Sequence, residues 1–310
     1  MGSSVAFSET RFLHDIRATA AILEAPFSER VTCKVIDSFA DNFKDGATVW
    51  KATEHAGDPL SYRFFARSRN DTIQTALRVG LLGNETDCTT LIRRWSDAYG
   101  DTTQSCDFDT LNGLAKSWIY LGGMRPADEV LGRSFVPQVI RDQLRIFHAV
   151  RLDYIRFVAV DYRHETANLY FRTRGPITPT RCTEILALVG LGPPPPEVVA
   201  EIRRFVPEDF CVAVTVSMRD GKLERVCFYA LKLPPGELPA VPERIARFFA
   251  KAPSHDACTV NVLGWSFGPE GGTYIKAEKG YLGDMAALLA DWDCYFSGSI
   301  RKDRVLGTVA

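Results

Sequence analysis

A hydrophobic period that switches back and forth along the chain constrains this sequence more than any motif in it. Stretches that alternate apolar and polar side chains fall in pairs: 47–53 with 60–67, 104–110 with 112–121, 154–161 with 165–172, 210–218 with 222–231, and 258–267 with 272–279. Period-two alternation marks a half-buried strand, and two such runs joined by a short polar loop predict a β-hairpin. Three loops carry turn chemistry: Gly57-Asp58-Pro59, Arg219-Asp220-Gly221 and Pro269-Glu270-Gly271-Gly272. The second pair has the least support, because CDFDTLNG (106–113) is poor in β-branched residues.

Between the pairs the period becomes helical. The segments are TRFLHDIRATAAIL (10–23), SERVTCKVIDSFADNF (28–43), NDTIQTALRVGLL (70–82), CTTLIRRWSDAY (88–99), IRDQLRIFHAV (140–150), TRCTEILALVGL (180–191), PEVVAEIRRFV (196–206) and PERIARFFAKA (242–252), and most carry an apolar stripe. Gly192 to Pro196 reads as a stiff connector between two of them. Hairpins recur about every 50 residues, so the chain reads as about five copies of an ααββ unit. Helices grouped between antiparallel hairpins disfavour a Rossmann-type sheet, and no G-x-G-x-x-G or P-loop motif is present. Ten antiparallel strands lose their exposed edges by closing on themselves. The expected fold is therefore α+β: a ten-stranded antiparallel closed β-barrel of five ααββ repeats with α-helices outside, one domain spanning 1–310.

Helices packed around a barrel demand an apolar outer face. One strand register supplies it: Ala115, Ser117, Ile119, Leu121; Ile155, Phe157, Ala159; Leu169, Phe171; Val212, Val214, Val216; Val226, Phe228, Ala230; Ile275, Ala277. The other register then faces inward with Lys116, Trp118, Tyr120, Arg156, Val158, Asn168, Tyr170, Arg172, Cys211, Ala213, Thr215, Arg225, Cys227, Tyr229, Tyr274, Lys276 and Glu278, joined by Lys51, Ser61, Arg63 and Phe65 from the first hairpin. An open sheet would simply show this register to water. Inside a barrel, cations such as Lys51, Arg63, Lys116, Arg156, Arg172 and Lys276 against one glutamate leave buried charge that packing does not explain, and the arrangement calls for an anion. A diphosphate offers acceptor oxygens for such residues and for tyrosine hydroxyls, while the ring faces suit an apolar or cationic group.

Other classes are excluded on simple grounds. With 37 Lys+Arg against 38 Asp+Glu, the chain lacks the cationic excess of a nucleic-acid or polybasic membrane binder. No apolar run is long enough to span a bilayer and no leader pattern opens the chain, so a cytoplasmic protein is expected. The eight cysteines are scattered without C-x-x-C pairs, which predicts free thiols and no zinc site. The five histidines fall on helices, loops or strand ends, where surface or capping roles are expected.

At VWK (49–51), SYRFF (61–65), LAKSWIYLGG (114–123), RFVAVDYRHETANLYFR (156–172), ERVCFYALK (224–232) and GTYIKAEKGY (272–281), the chain resembles the soluble aromatic prenyltransferases of the ABBA, or prenyltransferase-barrel, family. The match runs nearly end to end. It is closest to the branch that holds the aminocoumarin-pathway enzymes acting on 4-hydroxyphenylpyruvate and fungal members acting on dihydroxynaphthalenes.

The resemblance implies transfer of a dimethylallyl group from dimethylallyl diphosphate to a carbon of a small electron-rich phenol or naphthol, by a monomeric enzyme of secondary metabolism. It implies that Lys51, Arg63, Lys116, Tyr170, Arg172, Tyr229 and Lys276 hold the diphosphate. Arg156 and Glu278 would face the acceptor together with Phe65 and Cys211, Trp118 would shield the prenyl cation, and Glu278 would be the catalytic acid–base group. Metal-dependent relatives have an aspartate where Ser61 stands, and no D-D-x-x-D or N-D-x-x-D cluster is present, so no metal or other cofactor is expected. Structural pairing of Glu278 with Arg156 or Lys276 remains an alternative to catalysis. A barrel that merely sequesters an amphiphilic phosphorylated ligand remains an alternative to an enzyme, whereas phosphoester hydrolysis is disfavoured by the missing carboxylate cluster.

Overall fold

Ten strands close into a single antiparallel barrel in the computed structural model, which describes residues 5–99, 103–206, 209–234, 236–269 and 272–291. They are β1 (Ala47–Thr53), β2 (Ser61–Phe65), β3 (Thr103–Asp109), β4 (Gly113–Pro126), β5 (Tyr154–Asp161), β6 (Thr166–Thr173), β7 (Phe210–Ser217), β8 (Leu223–Ala230), β9 (Asn261–Gly268) and β10 (Gly272–Leu282). Each strand pairs with its sequence neighbours, and β1 pairs with β10 to complete the ring. All five hairpin loops therefore lie at one end of the barrel, and all helical connections leave from the other.

The helices are α1 (Glu9–Ile22), α2 (Glu29–Ser38), α3 (Ala40–Asp45), α4 (Thr72–Arg78), α5 (Asp87–Ala98), α6 (Ala127–Leu131), α7 (Gln138–Arg141), α8 (Leu144–Ala149), α9 (Pro179–Leu186), α10 (Pro196–Phe205), α11 (Glu243–Lys251) and α12 (Met285–Asp291). Their starts follow from capping chemistry. Ser8, Ser28 and Thr178 accept amide hydrogen bonds at the first turns of α1, α2 and α9, Thr86 and Thr89 form a reciprocal capping box on α5, and Pro196 opens α10 behind the proline connector. The outer core lies between these helices and the outward strand faces. Phe12 of α1 stacks on Trp50 of β1 at 4.9 Å, and Tyr62 and Phe108 of β2 and β3 stack at 5.5 Å.

The structure departs from the sequence reading at several points, among them the helix expected over 140–150, which breaks into α7 and α8. The helix expected over 28–43 breaks at Phe39 into α2 and α3. The last hairpin begins at Asn261 instead of 258, and α6 and α12 were not anticipated. A register shift in β5 moves the pairing from Ile155↔Phe171 to Phe157↔Tyr170, so Arg156 is an extra, bulged residue. Beyond the bulge the alternation inverts: Phe157 and Ala159 belong to the barrel interior and Val158 to the outer core, opposite to strict parity. The second hairpin, weakest in sequence, forms fully, and β4 extends through Pro126.

Candidate active site

The barrel lumen divides into layers along its axis. Nearest the hairpin loops lie Lys51, Lys116, Arg225, Lys276 and Tyr274, each projected inward by its strand. The Arg225 guanidinium sits 5.2 Å and the Lys276 ammonium 5.3 Å from the Tyr274 ring centre. Burial would raise the Tyr274 hydroxyl, yet Lys276 and Arg225 overcome that and leave its pKa below the ordinary phenol value. Burial also lowers the Lys116 ammonium, and although Asp161 offsets part of this, Lys51 and Lys276 push the same way. The Tyr274 shift reports the positive potential of its neighbours, whereas the Lys116 shift comes first from burial and only secondarily from Lys51 and Lys276.

Acids that the sequence reading missed share this lumen. Asp107 on β3 accepts hydrogen bonds from Lys51 Nζ at 3.3 Å and from Arg63 Nη2 at 3.1 Å, and a second, shorter bond from Arg63 Nε. Asp161 Oδ2 lies 2.9 Å from Lys116 Nζ, while Asp161 Oδ1 accepts the amides of Arg163 and His164 and lies 3.1 Å from His164 Nδ1. Burial alone would raise both carboxyls, but the cations around Asp107, and the His164 and Lys116 contacts at Asp161, hold them well below the usual carboxylate range. The count of one inward glutamate is thus corrected: at least two aspartates partly balance the cations. Alternation of Ser105, Asp107 and Asp109 with Cys106 and Phe108 along β3 was the signal that could have found Asp107.

Glu278 occupies the middle layer. It makes a two-pronged ion pair with Arg63, Nη1 to Oε2 at 3.3 Å and Nη2 to Oε1 at 3.2 Å. Burial opposes the Arg63 charge, but Asp107 and Glu278 together hold its pKa above the ordinary arginine value. A structural partner of Glu278 is therefore Arg63, where the pairing alternative named Arg156 or Lys276. The same guanidinium lies 4.2 Å from the Trp118 ring centre and 5.0 Å from that of Phe65.

An aromatic belt surrounds this layer. Trp118 and Tyr170 approach at 4.5 Å between ring centres, Tyr170 and Tyr229 at 6.1 Å, and Phe157 meets Tyr170 edge-on at 6.4 Å. Tyr229 fits because Gly264 lies across from it on β9, where a Cβ would stand 3.0 Å from Tyr229 Cε1 and 2.9 Å from Cys227 Sγ. Burial raises the Tyr170 and Tyr229 hydroxyls well above the ordinary value, so both stay protonated as donors. The belt opens on a cavity lined by Arg63, Phe65, Trp118, Phe157, Tyr170, Cys211, Tyr229 and Glu278 and, toward the helix end, by Leu231, Val262, Met285 and Leu289.

Arg172 does not join the other cations. It pairs across the sheet with Cys211, next to the helix end of β6, and lies 3.7 Å from Asp209. With Arg156, Phe157, Tyr170, Cys211 and Leu231 it lines a side pocket of the same chamber. Lys51, Lys116 and Lys276 thus gather at the hairpin end, Arg63, Tyr170 and Tyr229 at the centre, and Arg156 and Arg172 at the far side. Ser61 faces inward opposite Asp109, whose carboxylate is engaged by the Leu111 and Asn112 amides and by Arg163. Among the described residues no three His, Cys, Asp or Glu side chains cluster to hold a metal ion, and no helix is long and apolar enough to cross a membrane. No disulfide joins two described cysteines, Cys211 and Cys227 line the lumen, and Cys294 lies outside the described residues.

Comparison with known proteins places the chain in a family. The model of a family described as aromatic prenyltransferase Orf2 matches residues 7–293. A 4-hydroxyphenylpyruvate 3-dimethylallyltransferase from Streptomyces niveus is 47% identical over 97% of this chain and 93% of its own length. An aromatic prenyltransferase from Sclerotinia sclerotiorum is 41% identical over 92% of this chain and 94% of its own length. Among solved structures, NotF, crystallised with brevianamide F and DMSPP, superposes with a TM-score of 0.52 at 10% identity, covering 87% of this chain and 93% of NotF, a likeness of fold.

Proposed function

This chain belongs to the aromatic prenyltransferase family, and from that premise we propose that it transfers a dimethylallyl group from dimethylallyl diphosphate to a ring carbon of a small phenol bearing an acidic side chain, a compound of the 4-hydroxyphenylpyruvate kind. Membership in a family of transferases displaces the alternative of a barrel that only sequesters its ligand. One observation carries the reading: a cation cluster with unbalanced positive potential and a glutamate held by Arg63 face each other across an aromatic belt in one lumen.

The diphosphate lies against Lys51, Lys116, Arg225 and Lys276, with the Tyr170 and Tyr229 hydroxyls donating from the belt. Arg225 was not singled out as a ligand from sequence, and its place beside Tyr274 and Lys276 brings it in. The bond between the donor's first carbon and its bridging oxygen breaks, and the electron pair leaves with diphosphate. Fixed cations stabilise that growing charge without rearranging at the moment of reaction. The allyl cation passes the ring faces of Trp118, Tyr170 and Tyr229, each contributing about 0.5 to 2 kcal/mol of cation–π attraction.

The acceptor lies beyond the belt, with its carboxylate on Arg156 and Arg172 and its phenol hydroxyl donating to Glu278. That hydrogen bond raises electron density in the ring. A ring π pair forms the new carbon–carbon bond, and the ring proton leaves to Glu278 or to water. Arg63 keeps Glu278 oriented as an acceptor, so its main part is to position the carboxylate and only secondarily to face the diphosphate. No metal takes part, and the enzyme works as a monomer and a single domain.

The test is an assay in excess chelator with dimethylallyl diphosphate and a panel of phenylpyruvate, naphthalenediol and flavonoid acceptors. The expected result is a mass gain of one prenyl unit on the phenylpyruvate. Complete loss of activity that magnesium restores refutes metal independence, and tight donor binding with no product on any acceptor refutes the acceptor assignment.

A further inference from the structure

One wall of the chamber is not built by the barrel. Met285 and Leu289 of α12 line the main cavity opposite the belt, one turn apart and therefore on the same helix face, and Leu288 is buried beside them in the interior cluster. α12 sits across the helix end of the lumen and packs on β1 and β10. Its entry is fixed at several points. Asp256 accepts the Asp284 amide at 2.8 Å and the Met285 amide at 3.2 Å, and Asp284 accepts the Ala287 amide at 3.2 Å. Arg67 donates to the Gly283 carbonyl. Gly283 has φ +98° and presses on Gly46, where a Cβ would fall 2.3 Å from the Gly46 carbonyl oxygen, so the turn into α12 is specific to glycine.

The floor this latched helix provides is apolar throughout, with Leu231, Val262 and Phe65 as its neighbours in the lining. The cation cluster pins one end of the donor at the hairpin pole, so each added prenyl unit extends the tail toward this floor. We infer that Met285 and Leu289 set the length of prenyl chain that the chamber accepts. The inference rests on the reading that this lumen holds the prenyl tail. Lengthening the donor past the space above these two side chains forces overpacking, and truncating them opens room that only a longer chain fills.

The experiment measures kcat/KM for geranyl diphosphate relative to dimethylallyl diphosphate, with one acceptor, in the wild type, Met285→Ala, Leu289→Ala, the double variant and the milder Leu289→Val. Thermal unfolding accompanies each to confirm the fold. The ratio is expected to rise about tenfold or more in the alanine variants, the scale of pocket methylenes in substrate discrimination, and severalfold in Leu289→Val. Calorimetric binding of the geranyl and dimethylallyl thiolodiphosphates should show the same ordering without turnover. An unchanged ratio, or an unchanged affinity difference between the two analogues in the folded Leu289→Val protein, overturns the inference. Failure of the underlying reading looks different: neither analogue binds the wild type.

Discussion

The two ends of the lumen are built from the same ten strands yet solve opposite problems. At the hairpin end, short strand tips bring Lys51, Lys116, Arg225 and Lys276 together with only partial compensation from Asp107 and Asp161. At the helix end, Val262, Leu231, Met285 and Leu289 form an apolar surface, and charge appears there as Arg156 and Arg172 in a side pocket near Asp209. The contrast separates two demands on a single chamber. A leaving group needs fixed positive charge, whereas a reactive cation and a flat acceptor need water excluded around them. The net charge of −1 for the whole chain conceals this polarity, because it averages over both ends and the exterior.

The sharpest way to break the contrast is to remove charge from the hairpin end. Lys276→Ala and Lys116→Ala are each expected to lower kcat/KM for the donor by about 10²- to 10³-fold, the scale of a lost preorganised electrostatic group, with the acceptor KM little changed. Steady-state kinetics with each substrate varied in turn gives the answer. Equal losses for donor and acceptor would mean that these lysines act mainly in folding. Next in size is Glu278→Gln at the boundary between the two ends. Turnover should fall about 10²-fold or more, within the range of general acid–base groups, while calorimetry finds donor binding largely retained. Unchanged turnover would leave Glu278 with only its pairing role toward Arg63.

A smaller effect sharpens the helix end. Arg156→Ala should reduce kcat/KM for a carboxylate-bearing phenol by about tenfold to a hundredfold, in keeping with loss of a charge-assisted hydrogen bond, and should largely spare a neutral naphthol. Equal losses for both acceptors would move Arg156 out of acceptor recognition.

The lumen's layering was only partly legible in the sequence. Period-two alternation is a local property, so hairpins with β-branched residues, such as 210–231, were read nearly residue for residue, and closure followed from the count of antiparallel strands. Inward placement of Lys116, Trp118, Tyr170, Tyr229, Lys276 and Glu278 followed from parity. Parity failed beyond Arg156, because a bulge inserts one residue and inverts every position after it, exchanging Phe157 and Ala159 for Val158. Asp107 was missed on a strand whose apolar pattern is short, and Asp161 because it closes β5 at a turn. Height along the barrel axis separates Arg172 from Lys116, and alternation carries no information about height until the register between strands is known. Nothing local to MAALLAD distinguishes a helix lying outside the barrel from one seated in its mouth.

The smallest expected effect probes the potential at the hairpin end directly. Burial, with Lys51 and Lys276 nearby, lowers the Lys116 pKa despite Asp161. A lysine with a lowered pKa loses its proton sooner as pH rises, so the site sheds positive charge at a pH below that at which a solvated lysine, near 10.4, would titrate. Bound diphosphate holds the proton in place. The loss should therefore appear as a donor KM that is severalfold higher just above the midpoint and climbs toward the Lys116→Ala loss at higher pH, with kcat nearly flat. Lys116→Arg keeps its charge across this range, because a guanidinium stays protonated. In that variant the alkaline limb of the donor kcat/KM profile should move to higher pH, with the acidic limb unmoved. If the alkaline limb stays where it is in the wild type, the titrating group is not Lys116, and the positive potential at the hairpin end rests on Lys51, Arg225 and Lys276.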